Sequence, residues 1–193
     1  TCWELKIPIL TVYAFSTENW KRPQDEVEIL MSLLTQYLRS EIDELHKKGI
    51  KINPIGRTNY LPETAKKELK RAVKLTKDND KLVLNLALNY GGRAEIVDAM
   101  KLICEKVMEG TLSLDDISEE SIANHLYTRG YPDPDLLIRP SGDFRISNFL
   151  LWQLAYTEFW TTDVLWPDFR KQHFMQALFD FANRERRFGG LKI

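Results

Sequence analysis

The sequence contains little cysteine, almost no net charge and no long apolar segment. Cys2 and Cys104 are its two cysteines and lie far apart, so they predict neither a disulfide framework nor a pair of metal ligands and fit a reducing compartment. The 27 basic residues nearly balance the 28 acidic ones, and a net charge of −1 excludes a general attraction to nucleic acid or to acidic membranes. Any anion binding must therefore come from local clusters of arginine.

The apolar runs are shorter than the roughly 18 residues of a membrane span, and no signal-peptide pattern is visible. We therefore expect at most peripheral membrane contact and a location in the cytoplasm or an organelle stroma, the plastid included. Hydrophobic residues make up 44% of the 193 residues and charged residues 28%, an ordinary globular balance. A chain of this length suits one domain, so we treat residues 1–193 as a single domain.

Short apolar runs rich in β-branched residues predict strands that are buried on both faces, as in a parallel sheet. We expect strands at residues 5–15, 51–55, 82–88, 136–138 and 164–166. Only a few residues precede the first of them. Because a domain rarely opens on a strand of such buried character, we expect a preceding segment that this sequence does not contain.

Apolar residues spaced three and four apart predict amphipathic helices between these strands. We expect helices at about residues 25–48, 62–77, 93–108, 118–125, 147–156 and 172–186. Gly49 is expected to end the first helix, and Ser118 to cap the fourth. The alternation predicts an α/β fold, in which helices flank a central, largely parallel sheet. Ligands of such sheets bind beyond the carboxyl ends of the strands, which directs attention to the loops after Phe15, Leu88 and Ile138.

The loop after Ile138 has the residue types of an anion site. Arg139 and Arg145 can present paired donors to phosphate oxygens. A predicted helix N-terminus at Ser147 would add free backbone N–H groups. A diphosphate fits this pattern, and a solvated loop with surface arginines is the alternative that composition leaves open.

Glu158 follows a strongly apolar stretch, and a carboxylate beside buried aromatic rings needs a partner. A magnesium ion bound to phosphate oxygens would serve, and so would a salt bridge to an arginine. The surrounding aromatic and aliphatic residues fit either a hydrocarbon site or core packing. They are Phe149, Leu150, Trp152, Phe159, Trp160 and Trp166.

Taken together, these segments resemble the cis-prenyltransferase family, the undecaprenyl and dehydrodolichyl diphosphate synthases. The matching strings are AFSTENWKRP (14–23), ALNYGGR (87–93), PDPDLLIR (132–139), RISNFLLWQLAY (145–156), LWPDF (165–169) and RRFGG (186–190). Each string is weak to moderate by itself, but their ordered conjunction from end to end is very specific. The resemblance implies the family's central parallel sheet flanked by helices, and a homodimer.

The resemblance also implies a reaction and a cofactor. An allylic diphosphate primer loses diphosphate, isopentenyl diphosphate attacks, and a proton leaves to give a Z double bond, with the assistance of Mg²⁺. By resemblance, Arg139, Arg145, Ile146 and Ser147 bind the isopentenyl diphosphate, and Glu158 is the magnesium ligand. By resemblance the catalytic residues would be Asn19, Arg139 and Glu158, and we expect Arg139 and Glu158 to share one hollow with Arg145.

The loop after the first strand contributes by resemblance as well. Asn19 matches a residue assigned to proton removal, and because asparagine is a poor base we expect a positioning or relay group. The residues expected around the same substrate are Ser16, Thr17, Glu18, Trp20 and Arg22. Gly189 belongs to the motif Arg187-Phe188-Gly189, which the resemblance implies reaches across the dimer to help hold diphosphate.

Some features depart from the family pattern. The family's first strand, its aspartate- and glycine-rich phosphate loop and its first helix should precede Thr1 and are not in this sequence. Pro140 stands where threonine or serine is commoner, Asp143 where glutamate is commoner, and Arg57 at a position that is often acidic. These differences leave open an irregular, branched coupling of two allylic units.

Two further alternatives belong to other functional classes. A non-catalytic partner subunit would lose the diphosphate-binding arginines and the metal carboxylate, which are all present here as Arg139, Arg145 and Glu158. A nucleotide-binding module would need a glycine-rich strand–helix fingerprint, and residues 89–93 lack its spacing.

Overall fold

The computed structural model describes residues 1–185, which form two compact units, one of residues 1–129 and one that begins at Gly130. In the first unit the elements are β1 (Ile9–Ser16), α1 (Gln24–Lys47), β2 (Ile50–Ile55), α2 (Glu63–Thr76), β3 (Leu82–Tyr90), α3 (Gly92–Met108) and the short α4 (Glu119–Ala123). In the second unit they are β4 (Leu136–Arg139), β5 (Glu158–Thr161) and α5 (Lys171–Ala182).

All strand pairs in the described residues are parallel, as the apolar runs predict. In the first unit β3 lies between β1 and β2, with Val12 of β1 opposite Leu86 of β3. In the second unit β4 pairs with β5, and Leu136 lies opposite Glu158. The predicted parallel α/β class is confirmed, and the described strands belong to two sheets, one in each unit.

The core of the first unit is built from the apolar faces of its two long helices. Val27, Met31, Leu38 and Ile42 of α1 are buried at spacings of four and seven residues, which place them on one face of the helix. Ala65, Leu69 and Ala72 of α2 join the same cluster, with Phe15, Ile52 and Leu88 from the sheet. Each buried aliphatic side chain of this size contributes about 1.5–3 kcal/mol to folding.

The predicted ends of two helices are confirmed. Gly49, which follows α1, has a φ of 71°, a left-handed conformation that suits glycine, and its N–H donates to the carbonyl of His46 at 2.9 Å. The Ser118 hydroxyl accepts a hydrogen bond from the backbone N–H of Ser121 at 3.2 Å and so caps α4, which is shorter than predicted. None of the described helices is both long and apolar enough to cross a membrane.

The structure corrects the start of the first strand. Residues 2–6 form turns rather than a strand, and β1 begins at Ile9. Lys6 has a φ of 55°, which is incompatible with an extended strand. The predicted strand therefore begins four residues too early.

The predicted helix at residues 147–156 is wrong. These residues form a series of turns, and Ser147, Asn148 and Leu150 have φ values of 49°, 63° and 44°, which a right-handed helix cannot contain. Phe149 and Leu150 are buried all the same. The apolar run therefore records burial and not helical periodicity.

The last predicted strand is also wrong. Residues 164–166 do not form one; Trp166–Asp168 is a single 3-10 turn that contains Pro167, which has no N–H for a sheet. The strand lies earlier, at β5, where the apolar pattern is interrupted by Glu158 and Thr161. Because β5 has only four residues and begins with a charged one, its sequence does not show the apolar run that predicts a buried strand.

Candidate active site

The loops after β1 and β3 meet at the carboxyl end of the three-stranded sheet, where the sequence predicts a ligand site. Trp20 lies in the 3-10 turn Thr17–Lys21 that follows β1, and its indole Nε1 donates to Oδ1 of Asn89 at 2.7 Å. The Trp20 ring also packs edge-on against Phe15, with centroids 5.0 Å apart. These contacts join the first and second predicted loops.

The turn after β1 holds the other predicted substrate residues of this unit. Asn19 Oδ1 accepts a hydrogen bond from the backbone N–H of Ser16 at 2.7 Å, so this oxygen is already committed. The Thr17 hydroxyl donates to Glu18 at 3.1 Å, and Arg22 pairs with Glu26 at 3.2 Å. Because Oδ1 is in use, Asn19 can offer its Nδ2 donor, which fits a positioning group better than a base.

Two cavities adjoin Trp20. One, of about 670 Å³, lies against the face of α1 from Gln24 to Ser40 and includes Val27, Met31 and Arg39 in its wall. The other, of about 450 Å³, is lined by Thr17, Trp20, Arg57, Tyr60 and Asn89. Trp20 therefore stands in the walls of both, and its orientation affects the shape of each.

Arg57 forms a bidentate ion pair with Asp98 in the wall of the second cavity. Its Nε and Nη2 donate to the two carboxylate oxygens of Asp98 at 2.8 and 2.7 Å, and the Tyr127 hydroxyl also donates to Asp98. The Arg57 guanidinium lowers the pKa of Asp98, while burial and then the Asp98 hydrogen bond raise the pKa of Tyr127. The sequence marks Arg57 as unusual, but the partner on α3 follows only from the tertiary structure.

In the second unit Arg139 and Arg145 are brought together by Asp143. Oδ2 of Asp143 accepts from Nη2 of Arg139 at 2.9 Å and from Nη2 of Arg145 at 2.7 Å. Two backbone hydrogen bonds pin this loop, since the N–H groups of Ser141 and Gly142 donate to the carbonyls of residues 164 and 162, both at 2.9 Å. The arginine pair expected from the sequence thus exists, and Asp143 orients it.

Arg139 retains unused donors. Its Nε is buried and has no hydrogen-bond partner within residues 1–185. A buried N–H without an acceptor costs about 1–3 kcal/mol, so an added anion would be stabilised there. The helix that the sequence predicts to begin at Ser147 does not form, so it supplies no row of free backbone N–H groups there. Ile146 lies in the same turn, where its carbonyl accepts from the N–H of Phe149 at 3.0 Å.

Glu158 is engaged in a salt bridge, one of the two alternatives that the sequence leaves open. Its Oε2 accepts from Nη1 of Arg184 at 2.9 Å, and the same nitrogen donates to the carbonyl of Phe159 at 2.8 Å. Glu158 lies opposite Leu136, three residues before Arg139, a distance of about 10 Å along a strand. Arg139 and Glu158 are therefore at opposite ends of the β4–β5 ribbon.

The aromatic and aliphatic residues that the sequence places near Glu158 differ in their burial and contacts. Phe149 and Leu150 are buried, as core packing predicts. Trp160 is tied to α5 by a hydrogen bond from Nε1 to Oδ2 of Asp180 at 2.7 Å. Trp166 is 65% exposed and stacks on Phe169. The predicted residues Arg187, Phe188 and Gly189 lie outside the described residues.

Magnesium could find only a partial site in the described residues. They contain no cluster of three or more histidine, cysteine, aspartate or glutamate side chains. Glu158 offers hard oxygen ligands but already holds Arg184. Mg²⁺ commonly binds through one or two carboxylates together with substrate phosphates, so Glu158 fits such a site when a diphosphate supplies further oxygens.

Residues 1–189 match the family model described as putative undecaprenyl diphosphate synthase. An isoprenyl transferase of Clostridium perfringens is 54% identical over 191 residues, which cover 99% of this chain and 76% of that protein. One from Bacillus subtilis is 51% identical over 188 residues, or 97% of this chain and 72% of that protein.

Solved structures are similar as well. Lavandulyl diphosphate synthase from Lavandula x intermedia, in complex with dimethylallyl diphosphate, has a TM-score of 0.94 and 40% identity over 97% of this chain and 81% of that one. A probable undecaprenyl diphosphate synthase from Campylobacter jejuni has a TM-score of 0.87 and 36% identity over 98% of this chain and 86% of that one.

Proposed function

This chain belongs to the undecaprenyl diphosphate synthase family and is a prenyl transferase that forms Z-prenyl diphosphates, and from that premise we propose that its substrates are isopentenyl diphosphate and an allylic diphosphate primer. Identity of about 50% to isoprenyl transferases over nearly the whole chain carries the family and the class of reaction. The arginine pair at Asp143 is the feature that supports diphosphate as the recognised group. We also propose that the described chain acts as one catalytic domain.

The reaction breaks a C–O bond and a C–H bond and forms a C–C bond. The C–O bond of the allylic primer breaks and its electron pair leaves with diphosphate. The double bond of isopentenyl diphosphate attacks the allylic carbon to form the new C–C bond, and loss of a proton restores a double bond. Charge develops on the leaving diphosphate, so fixed cationic donors stabilise the transition state more than the ground state.

Arg139, Arg145, Ile146 and Ser147 are proposed to hold isopentenyl diphosphate. Each arginine gives one Nη2 donor to Asp143, which leaves the remaining N–H groups of both guanidinium forks for the phosphate oxygens. Asp143 thus orders the two side chains before the substrate arrives. Less side-chain entropy then has to be lost on binding.

The turn after β1 is proposed to contact the substrates through Ser16, Thr17, Glu18, Trp20 and Arg22. Asn19 belongs to the same group and has a positioning or relay role in proton removal. The hydrogen bond from Ser16 to Asn19 Oδ1 supports this role, because it fixes the amide plane.

Mg²⁺ is proposed as cofactor, with Glu158 as its protein ligand. Bound at a diphosphate, the ion would supply charge neutralisation for the leaving group. The Glu158 carboxylate would exchange Arg184 for the ion in that state. The salt bridge keeps the carboxylate partnered when no ion is present.

The protein is further proposed to form a homodimer in which the motif Arg187-Phe188-Gly189 reaches the partner's site. Trp166 and Phe179 are 65% and 66% exposed in the single chain, and aromatic residues are enriched at protein–protein interfaces. A cytoplasmic location is proposed because the relatives in Clostridium and Bacillus are bacterial proteins.

Irregular coupling of two allylic diphosphates is a second candidate. It is favoured by the similarity to lavandulyl diphosphate synthase and by Pro140 and Asp143, which alter the loop between the two arginines. A non-catalytic partner subunit is disfavoured because Arg139, Arg145, Ser147 and Glu158 are all present.

The test is turnover by the full-length protein with Mg²⁺ and separate allylic primers, with and without isopentenyl diphosphate, followed by chromatography of the products. Regular chain extension requires isopentenyl diphosphate, whereas irregular coupling consumes the primer without it. Arg139→Ala should abolish most turnover with the fold intact, while Arg129→Ala, an exposed arginine of the first unit, should leave it unchanged. If wild-type protein consumes no primer, the catalytic proposal fails.

A further inference from the structure

Asn89 is placed in the sheet by a bulge. In the β1–β3 pair, Phe15 lies opposite Leu88 and Ser16 lies opposite Tyr90, so Asn89 is an extra residue on β3. Its φ is 47°, a left-handed conformation that asparagine tolerates better than most residues. Bulges re-aim side chains at the ends of strands, and here the bulge turns a buried amide toward the neighbouring loops.

Gly56 permits this arrangement on the other side of β3. It has a φ of 108°, and a Cβ added to it would lie 2.4 Å from the carbonyl oxygen of Leu88 and 3.2 Å from that of Asn89. A side chain at position 56 would therefore push β3 away. The bulge at Asn89 and the glycine at the end of β2 belong to one local structure.

The side chain of Asn89 uses both ends of its amide. Its Oδ1 accepts from Nε1 of Trp20 at 2.7 Å, and its Nδ2 donates to the carbonyl of Arg57 at 3.0 Å. Its backbone carbonyl accepts from the N–H of Arg57 at 3.2 Å. Asn89 is only 6% exposed. Loss of any of these hydrogen bonds would therefore leave a buried polar group without a partner, which destabilises the fold.

Trp20 depends on this bond for its orientation. It is 39% exposed, it projects from a five-residue turn and it borders both cavities at this end of the sheet. The edge contact with Phe15 restrains the ring, but the indole N–H finds its acceptor at Asn89. Rotation of the indole would break that bond and change the walls of both cavities.

We propose that Asn89 is a positioning residue that fixes the Trp20 indole, and with it the wall between the two cavities, for prenyl transfer. The inference rests on the proposed function in one respect, the contact of Trp20 with substrate. Asn89 itself acts through Trp20.

The test combines kinetics in the full-length protein with a double-mutant cycle. Asn89→Gly removes the amide but keeps a residue that accepts a positive φ, and Trp20→Phe removes the indole N–H but keeps an aromatic ring. Each change should lower kcat/KM about two- to tenfold, the range of one net hydrogen bond. Their combination should lower it no further than the worse single variant. If Asn89→Gly has the same effect when it is added to the Trp20→Phe variant as in the wild-type protein, the proposal is overturned.

Asn85→Gly is the matched control. Asn85 is a buried asparagine of the same strand, and it bonds to Asn53 and Thr11 rather than to the turn after β1. Its substitution should lower the thermal stability and leave kcat/KM within about twofold of wild type, because its bonds lie away from Trp20. A loss of activity as large as that of Asn89→Gly would show a general effect of destabilising β3 and would contradict the proposal.

A spectroscopic signal separates this inference from the proposed function. In ¹⁵N-labelled protein the Trp20 indole resonance is the one that disappears in Trp20→Phe. It should move upfield in Asn89→Gly and stay in place in Asn85→Gly. If the resonance does not move in Asn89→Gly, the positioning role is overturned, whatever the protein catalyses. If the wild-type protein is inactive, the proposed function fails, but the resonance still tests the positioning role.

Discussion

At the residue scale, Asp143 determines how the guanidinium groups of Arg139 and Arg145 are oriented. One carboxylate oxygen holds both guanidinium groups, at 2.9 and 2.7 Å. A carboxylate beside an anion site repels the anion but also orders its ligands, and the two effects have opposite signs. Arg145 is 65% exposed and would otherwise sample many rotamers, so we expect ordering to dominate.

Asp143→Ala should therefore raise the KM for isopentenyl diphosphate about two- to fivefold, with a smaller change in kcat, since exposed ion pairs contribute about 0.2–1 kcal/mol. Asp143→Glu keeps a carboxylate and should stay close to wild type. Steady-state kinetics with the second substrate saturating gives both constants. A fall in KM for Asp143→Ala would mean that repulsion dominates.

Also at this scale, Arg184 competes with any cation for Glu158. Arg184→Gln removes the guanidinium charge from the carboxylate. The magnesium concentration that gives half-maximal activity should then fall severalfold, because the ion no longer displaces a cation. Arg170→Gln, an exposed arginine that bonds to backbone carbonyls nearby, is the control. An unchanged magnesium dependence would argue against Glu158 as a ligand.

At the element scale, Arg57 and Asp98 join the loop after β2 to α3. The Arg57 guanidinium lowers the pKa of Asp98 in the folded protein. In the unfolded chain the pKa of an aspartate is about 3.9. A depressed pKa stabilises the fold above the unfolded pKa, and this stabilisation is lost as the pH falls below about 4 through the folded pKa.

Arg57→Gln should accordingly lower the free energy of unfolding at about pH 7 by about 1 kcal/mol. The loss is no larger because the ion pair is partly exposed to solvent. The difference from wild type should shrink as the pH falls below about 4. Urea unfolding at a series of pH values measures it. Arg22→Gln, which breaks a more exposed pair, should cost less at about pH 7. A pH-independent loss for Arg57→Gln would contradict this assignment.

The packing of α5 on β5 gives a second prediction at the element scale. Asp180 on α5 accepts from the Trp160 indole at 2.7 Å. Asp180→Ala leaves that donor without its partner and should cost about 1 kcal/mol of stability, whereas Asp180→Asn keeps an acceptor and should cost less. Equal losses in urea unfolding would mean that the hydrogen bond is not the stabilising contact.

Long periodic patterns allowed the elements of the first unit to be predicted. The apolar spacing of α1 continues along the whole helix, and Gly49 marks its end. Residues 147–156 are also strongly apolar, but Ser147, Asn148 and Leu150 have a left-handed backbone conformation, which prevents a helix there. No local signal distinguishes such a buried turn series from a helix. β5 is four residues long and begins with a charge, so period-two alternation had too few positions to appear.

The candidate site shows the same division between local and tertiary information. Arg139, Arg145, Trp20 and Asn19 were identified from their strings in the sequence. Their partners Asp143 and Asn89 were noted without a role, and the pairing of Glu158 with Arg184 spans 26 residues. Contacts of this kind depend on how the chain folds back on itself, which spacing alone does not specify.

At the scale of the whole molecule, a chain with a net charge of −1 must gather its cationic groups at one loop in order to bind a diphosphate. Binding should be salt-dependent, because Arg145 is exposed and screened by ions. Raising the ionic strength should therefore weaken isopentenyl diphosphate binding and leave the fold unchanged.

The most direct test of this account is calorimetric titration of the full-length protein with isopentenyl diphosphate in the absence of an allylic primer, so that no turnover occurs. Wild-type protein should bind, and the Arg139→Ala, Arg145→Ala double variant should lose at least about tenfold in affinity, equivalent to about 1.4 kcal/mol, while its unfolding transition stays in place. A folded double variant that binds as tightly as wild type would contradict the assignment of the diphosphate to these two arginines.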